Sequence, residues 1–164
     1  VLSSTKGSII PQLGTQKAQV TSVTLASPTQ NLKVGDLITV TAKIESEKQT
    51  DGADLVIIYN PQLLEVQNAT GGQPVAAGLL YDDYPFKSEE EKGKITVSGI
   101  TTKEAGTLAQ GIFGTTTFRA LKEGEAKVSL LFNMGDTTDS NVIETGTGKD
   151  ILEQVNNLEL KILP

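Results

Sequence analysis

The stretch Gly52-Ala53-Asp54-Leu55-Val56-Ile57-Ile58-Tyr59-Asn60-Pro61-Gln62-Leu63-Leu64-Glu65-Val66 decides how this chain is read. A near-continuous apolar run, Leu55 to Ile58, stops at Tyr59-Asn60-Pro61 and restarts as Leu63-Leu64-Glu65-Val66. A run that short predicts a buried strand, and Asn-Pro predicts the turn that ends it. Just upstream, Val34-Gly35-Asp36 signals a turn before Leu37 to Ile44. There Ile38, Val40, Ala42 and Ile44 share one face while Thr39, Thr41 and Lys43 share the other. That period of two marks a half-buried strand.

The same grammar runs outward in both directions. Val20 and Val23 head a first strand; Ala53 to Tyr59, Leu63 to Ala69 and Lys94 to Ile100 are further ones. Ile112 to Leu121 is expected to place Ile112, Phe118 and Ala120 on one face and Thr115, Thr117 and Arg119 on the other. After a Glu123-Gly124 turn, Ala126, Val128, Leu130 and Phe132 alternate, and Leu158, Leu160 and Ile162 point inward in a last strand, Asn157 to Leu163. Helical periodicity is nowhere sustained for three turns; Asp150 to Val155 makes one or two at most, and no internal repeat is present. Short strands broken by Gly, Pro and Asp turns predict an all-β sandwich. Residues 1–16, rich in Ser, Gly and Pro, are expected to form an N-terminal arm or linker, and residues 17–164 a single domain. Two long connections, Thr70 to Gly93 and Asn133 to about Gln154, interrupt the scaffold. Loops of that length serve recognition or hold an ion, or are simply surface loops with no task.

Composition removes several functions. The net charge of −6 disfavours nucleic acid, because phosphate binding needs clustered Lys and Arg and only Arg119 stands among scattered lysines. There is no Cys, hence no disulfide or thiolate site, and no His, the commonest general base and transition-metal ligand. No apolar run approaches the roughly 20 residues that span a bilayer. The chain starts at Val1 rather than Met, as a form trimmed of a signal segment would. An extracellular or cell-surface location is the expectation.

Several blocks, in order, resemble the cohesin family: VGDLITVTAKI, GADLVIIYNPQLLEV, GKITVSGI, QGIFGTTTFRALKEGEAKVSL and GDTTDSNVIETGTGKDILEQVNNLELKI. The resemblance covers about Gln19 to Leu163 and implies a jelly-roll β-sandwich of about nine strands, related to some carbohydrate-binding modules. It also implies a non-catalytic module that docks a dockerin, a small calcium-loaded helical pair, through one face of its sheet. Asp54 stands where cellulosomal cohesins place a binding-face Asp, and Tyr84 lies near the family's binding-face tyrosine. Thr96 and Ser98 alternate with Ile95 and Val97 and should face outward beside Asp54. At Gly52, cellulosomal cohesins often carry an Asn that also contacts the dockerin.

Other candidates stand on chemistry. Tyr81-Asp82-Asp83-Tyr84-Pro85-Phe86 collects rigid aromatics, which anchor partners at low entropic cost or cover the end of the sandwich. Asp136, Asp139 and Asn141, in an oxygen-rich turn, could supply oxygens to a structural calcium, although the EF-hand spacing is absent; such residues also form turns by bonding their own backbone. Glu89-Glu90-Glu91 reads as a solvated turn, and Asn68-Ala69-Thr70 fits a glycosylation pattern that often arises by chance. With no His for a nucleophile and with Asp82 and Asp83 adjacent, an enzyme is not expected. Beside the dockerin-binding reading stand a carbohydrate-binding module and a structural spacer of a surface adhesin. Without Trp, the chain is poorly equipped to stack on crystalline cellulose, which leaves a single polysaccharide chain in a loop cleft.

Overall fold

A computed structural model describes residues 19–69, 71–85 and 89–164. Among them the chain forms strands and turns without a helix. In order these are β1 (Ser22–Ala26), β2 (Asn31–Lys33), β3 (Leu37–Tyr59), β4 (Leu64–Gln67), β5 (Ala76–Ala77) and β6 (Glu89–Glu91). They continue as β7 (Lys94–Ile100), β8 (Thr107–Ala120), β9 (Gly124–Leu130), β10 (Asn141–Glu144), β11 (Gln154–Asn156) and β12 (Leu158–Leu163). The all-β sandwich expected from the sequence is the fold. Twelve strands replace the expected nine because the long connections carry short strands of their own, β5, β6, β10 and β11. The expected helical turn at Asp150 to Val155 is instead extended, with β11 running parallel to β1. The expected arm, residues 1–16, lies outside the described residues.

The organising element is β3. The sequence suggested two strands there, yet Leu37 to Tyr59 is one strand of 23 residues. Laid straight it would extend about 75 Å at ~3.3 Å per residue. A domain of this size has a radius of gyration of only about 15 Å, so β3 has to turn a corner. It does so where its pairing with β8 slips, between Glu45 and Gln49. Before the corner β3 lies between β1 and β8; after it, Gly52 to Ile58 pairs with β7, while β10 and β9 flank its other edge. Val40 and Ala42 from the first half and Leu55 and Ile57 from the second line the same small void, of about 10 Å³, with Val97, Phe113, Phe118 and Val128. The two halves therefore belong to facing layers. The core between them is aliphatic, centred on fully buried Phe113 and Phe118.

One expected facing was wrong. A second slip, between Ala42 and Lys43, inserts a bulge in β8. Phe113 takes the inward position and Ile112 is left 49% exposed, where strict alternation had put Ile112 inside.

Candidate functional site

Inward burial of Leu55 and Ile57 forces Asp54, Val56 and Ile58 onto the outer face of the second layer. Register then assigns their neighbours. Asp54 lies opposite Ser98 on β7 and Asn141 on β10; Val56 lies opposite Thr96; Gly52 lies opposite Ile100. The Ser98 hydroxyl donates to Asp54 Oδ1 at 2.5 Å, and Asn141 Nδ2 donates to Asp54 Oδ2 at 3.2 Å. The carboxylate is thus held from both sides. Because a carboxylate offers about four acceptor sites, it keeps capacity for a donor arriving from outside. No cation pairs with Asp54 among the described residues.

Aliphatic positions flank this polar row. Leu131 N donates to Val56 O at 2.8 Å, which sets Leu131 beside Val56 on the far edge of β3. Leu131 is 44% exposed and Ile100, at the other end, 39%. At Gly52, the departure from the family pattern, no side chain fits. An added Cβ would lie 2.6 Å from Gly99 O and 3.0 Å from Ile100 Cγ2.

Three of the expected residues, Asp54, Thr96 and Ser98, share this face. Tyr84 does not. A Cβ added at Gly99, on the inner side of β7, would meet the rings of Tyr84 at 2.9 Å and Tyr81 at 3.1 Å, so both rings lie on the side away from Ser98. Tyr84 packs edge-on against Phe113 and donates its hydroxyl to Phe113 O at 2.6 Å. Tyr81 is buried; its hydroxyl lies 2.8 Å from Thr50 Oγ1, which itself donates to Thr107 O at 2.9 Å. Burial pushes the Tyr81 phenol up to about 12. This loop closes the end of the core, and Phe86 lies outside the described residues.

The oxygen-rich turn spends part of its oxygens on its own hydrogen bonds, while Asp139 Oδ1 and Asn141 Oδ1 are buried without a hydrogen-bond partner among the described residues. Asp136 Oδ1 accepts from Thr138 N at 2.8 Å and Thr138 Oγ1 at 2.7 Å, which lowers its carboxyl below the usual range. Buried Asp139 accepts from Asn133 N at 2.6 Å and Asn133 Nδ2 at 3.0 Å. Asn141 turns to Asp54 and also donates to Asp139 O at 3.2 Å. No cluster of three or more acids that could hold a metal forms among the described residues. Asn141, weighed as a metal ligand, is thus the residue whose place beside Asp54 the sequence missed. Only the pairing of β10 with β3 reveals it, across 87 residues of chain.

The rim also differs from expectation. Glu89–Glu91 is a strand on the edge of β7 rather than a turn. Tyr59 donates its hydroxyl to Glu90, and burial together with that bond raises the Tyr59 phenol to about 12. Asp82 accepts from Thr102 N at 2.7 Å and Thr102 Oγ1 at 3.1 Å, which depresses its carboxyl. Asp83 instead pairs through its backbone with Ile100.

Comparison with known proteins agrees with the sandwich. The cohesin domain family matches residues 21–152. The chain belongs to the cohesin family, whose members are non-catalytic protein-binding modules. Solved structures similar to it include a type II cohesin domain from the cellulosome of Acetivibrio cellulolyticus, with TM-score 0.70, 17% identity, and 87% of this chain and 95% of that one covered. A non-cellulosomal cohesin from the hyperthermophilic archaeon Archaeoglobus fulgidus matches with TM-score 0.66 and 19% identity, over 89% of this chain and 93% of the other. The sixth cohesin of scaffoldin B from Acetivibrio cellulolyticus, solved in complex with a mutant Cel5 dockerin, matches with TM-score 0.67 and 16% identity, over 88% and 100% of the two chains. No curated protein matches the sequence.

Proposed function

We propose that this domain is the cohesin-type docking module of an extracellular or cell-surface protein, and that it takes a dockerin-type partner on the outer face carrying Asp54, Ser98, Thr96 and Asn141. The observation that carries this reading is the partly exposed Asp54 carboxylate, oriented by Ser98 and Asn141 and without a cation beside it among the described residues. A charge so held is poised to accept hydrogen bonds from a partner, and the aliphatic positions around it supply area that burial would stabilise. In such a complex the calcium is carried by the dockerin. The domain itself carries out no chemistry.

Calorimetric titration with a panel of calcium-loaded dockerins, with and without chelator, tests this. At least one dockerin is expected to bind in a calcium-dependent manner, with affinity falling at least tenfold in Asp54→Ala and staying within about twofold in Tyr84→Phe, since Tyr84 lies inside. Binding indifferent to Asp54→Ala would move the site elsewhere. Silence across the panel would turn the reading toward a spacer or a glycan binder.

A further inference from the structure

The loop that joins β9 to β10 is clasped at its base. Ser140 N donates to Leu131 O at 3.0 Å, and Val56 N donates to Ser140 Oγ at 3.0 Å. On either side of that clasp Asp139 and Asn141 are only 3% and 2% exposed. The Asn141 amide is poorly matched to its surroundings. Its Nδ2 has two hydrogens and faces three oxygens: Asp54 Oδ2 at 3.2 Å, Asp139 O at 3.2 Å and Thr137 O at 3.4 Å. Its Oδ1 is buried without a hydrogen-bond partner among the described residues, and so is Asp139 Oδ1. A buried acceptor left unpaired is costly. Neither Asp54 nor Asp139 is paired with a Lys or Arg among those residues. Oxygens in excess and two unneutralised carboxylates call for positive charge.

We propose that Asp54 Oδ2, Asn141 Oδ1 and the main-chain carbonyls of Thr137 and Asp139 form a calcium site, with the unpaired Asp139 carboxylate oxygen supplying the second negative charge. Calcium takes six to eight oxygens from carboxylates, amides and carbonyls at about 2.3–2.6 Å, so neighbouring oxygens of its shell lie about 3.4 Å apart. The three oxygens stand at that spacing from Asn141 Nδ2. A half-turn of the amide about Cβ–Cγ exchanges Nδ2 for Oδ1, atoms of nearly equal size, and makes the fourth oxygen of the set. All the ligands are hard oxygens, which disfavours transition metals, and irregular loop carbonyls suit calcium better than the strict octahedron of magnesium. Asp136 stays outside the set, because its Oδ1 already accepts from Thr138 N and Oγ1. The ion ties the loop to β3 and leaves Asp54 Oδ1 to Ser98. This calcium belongs to the domain itself, and the inference does not rest on docking.

The test uses the chelator-stripped domain alone, titrated calorimetrically with calcium chloride and melted in chelator, calcium or magnesium. One calcium per domain is expected, with the melting temperature at least about 5 °C higher at a hundredfold excess over Kd. Magnesium should bind at least about tenfold more weakly. Asn141→Asp places oxygen at both ends of the side chain and adds a charge. It should melt lower than the parent in chelator and bind calcium at least about tenfold more tightly. Were Asn141 only a hydrogen-bond donor, the same variant would be destabilised and calcium would not restore it. Asn141→Leu should abolish the calcium response, and Asp136→Asn should leave it unchanged; if Asn141→Leu does not fold, Asn141→Asp decides. No calcium response in the parent and in Asn141→Asp overturns the site, as does a response that survives Asn141→Leu or is lost in Asp136→Asn. Calcium uptake by a domain that every dockerin ignores leaves the site standing and removes the docking proposal. Dockerin binding to a domain that takes up no calcium does the reverse.

Discussion

The two outer faces of the sandwich are built on the two halves of one strand, and they differ in how their polar groups are satisfied. On the first half, the Thr39 and Thr117 hydroxyls bond each other at 3.1 Å. Lys43 pairs with Glu45 at 2.7 Å and Arg119 approaches Glu65 at 3.9 Å. Each polar group there has a neighbour of matching chemistry, exposed pairs of this kind are worth only about 0–1 kcal/mol, and the face exposes aliphatic side chains as well, Leu37 and Ile112 among them. The second half carries Asp54, held by neutral donors and matched by no cation among the described residues, with Leu131 and Ile100 left partly bare beside it. Polarity does not distinguish the faces. What separates them is an unneutralised charge set among aliphatics, a combination that costs little while hydrated and has much to gain from a complementary partner.

The strongest way to break this contrast is to remove the floor both faces stand on. Phe113 is fully buried and carries the Tyr81 and Tyr84 rings. Phe113→Ala should cost about 3–5 kcal/mol by chemical denaturation. A loss below about 1 kcal/mol would mean that the layers do not share this core. A subtler test concerns the end of the core under Tyr81. Its phenol is raised from 10.0 to about 12 by burial, so the folded state keeps a proton that the unfolded chain gives up near pH 10. The stabilisation is complete below pH 10 and is lost as pH climbs toward 12. Stability should therefore fall in that window by up to about 1.4 kcal/mol per pH unit from this group, and Tyr81→Phe should flatten the slope. An unchanged slope would place the Tyr81 hydroxyl in water. The smallest effects sharpen the comparison of the faces themselves. Thr39→Ala should shift stability by less than about 0.5 kcal/mol and leave docking untouched, while Asp54→Ala, similarly mild for stability, should lose docking. Equal effects of the two on binding would erase the distinction.

Much of this was legible before any coordinates. Period-two alternation in Leu37 to Ile44, Ala126 to Leu130 and Leu158 to Ile162 gave correct inward sets, because a sheet with one face buried selects side chains strictly by parity. The same parity placed Asp54, Thr96 and Ser98 outward together. Parity fails at a bulge, and nothing local in Gly111-Ile112-Phe113-Gly114 announces that Phe113, not Ile112, goes in. Composition fails at strand ends as well: Tyr84 reads as a binding aromatic until Gly99, by lacking a side chain, opens the place its ring occupies.

The sequence by itself thus determined the class of fold, the inward faces away from the β8 bulge, the cohesin kinship and the shared outward facing of Asp54, Thr96 and Ser98, since each rests on short-range periodicity or on motif order. Tertiary structure alone decided that β3 is one bent strand serving both layers, that Asn141 hydrogen-bonds Asp54, and that the Tyr84 ring packs against Phe113. Those outcomes depend on pairing between segments far apart in the chain. Such pairing is fixed by the competition of many weak cross-strand contacts over the whole domain, which no local window contains.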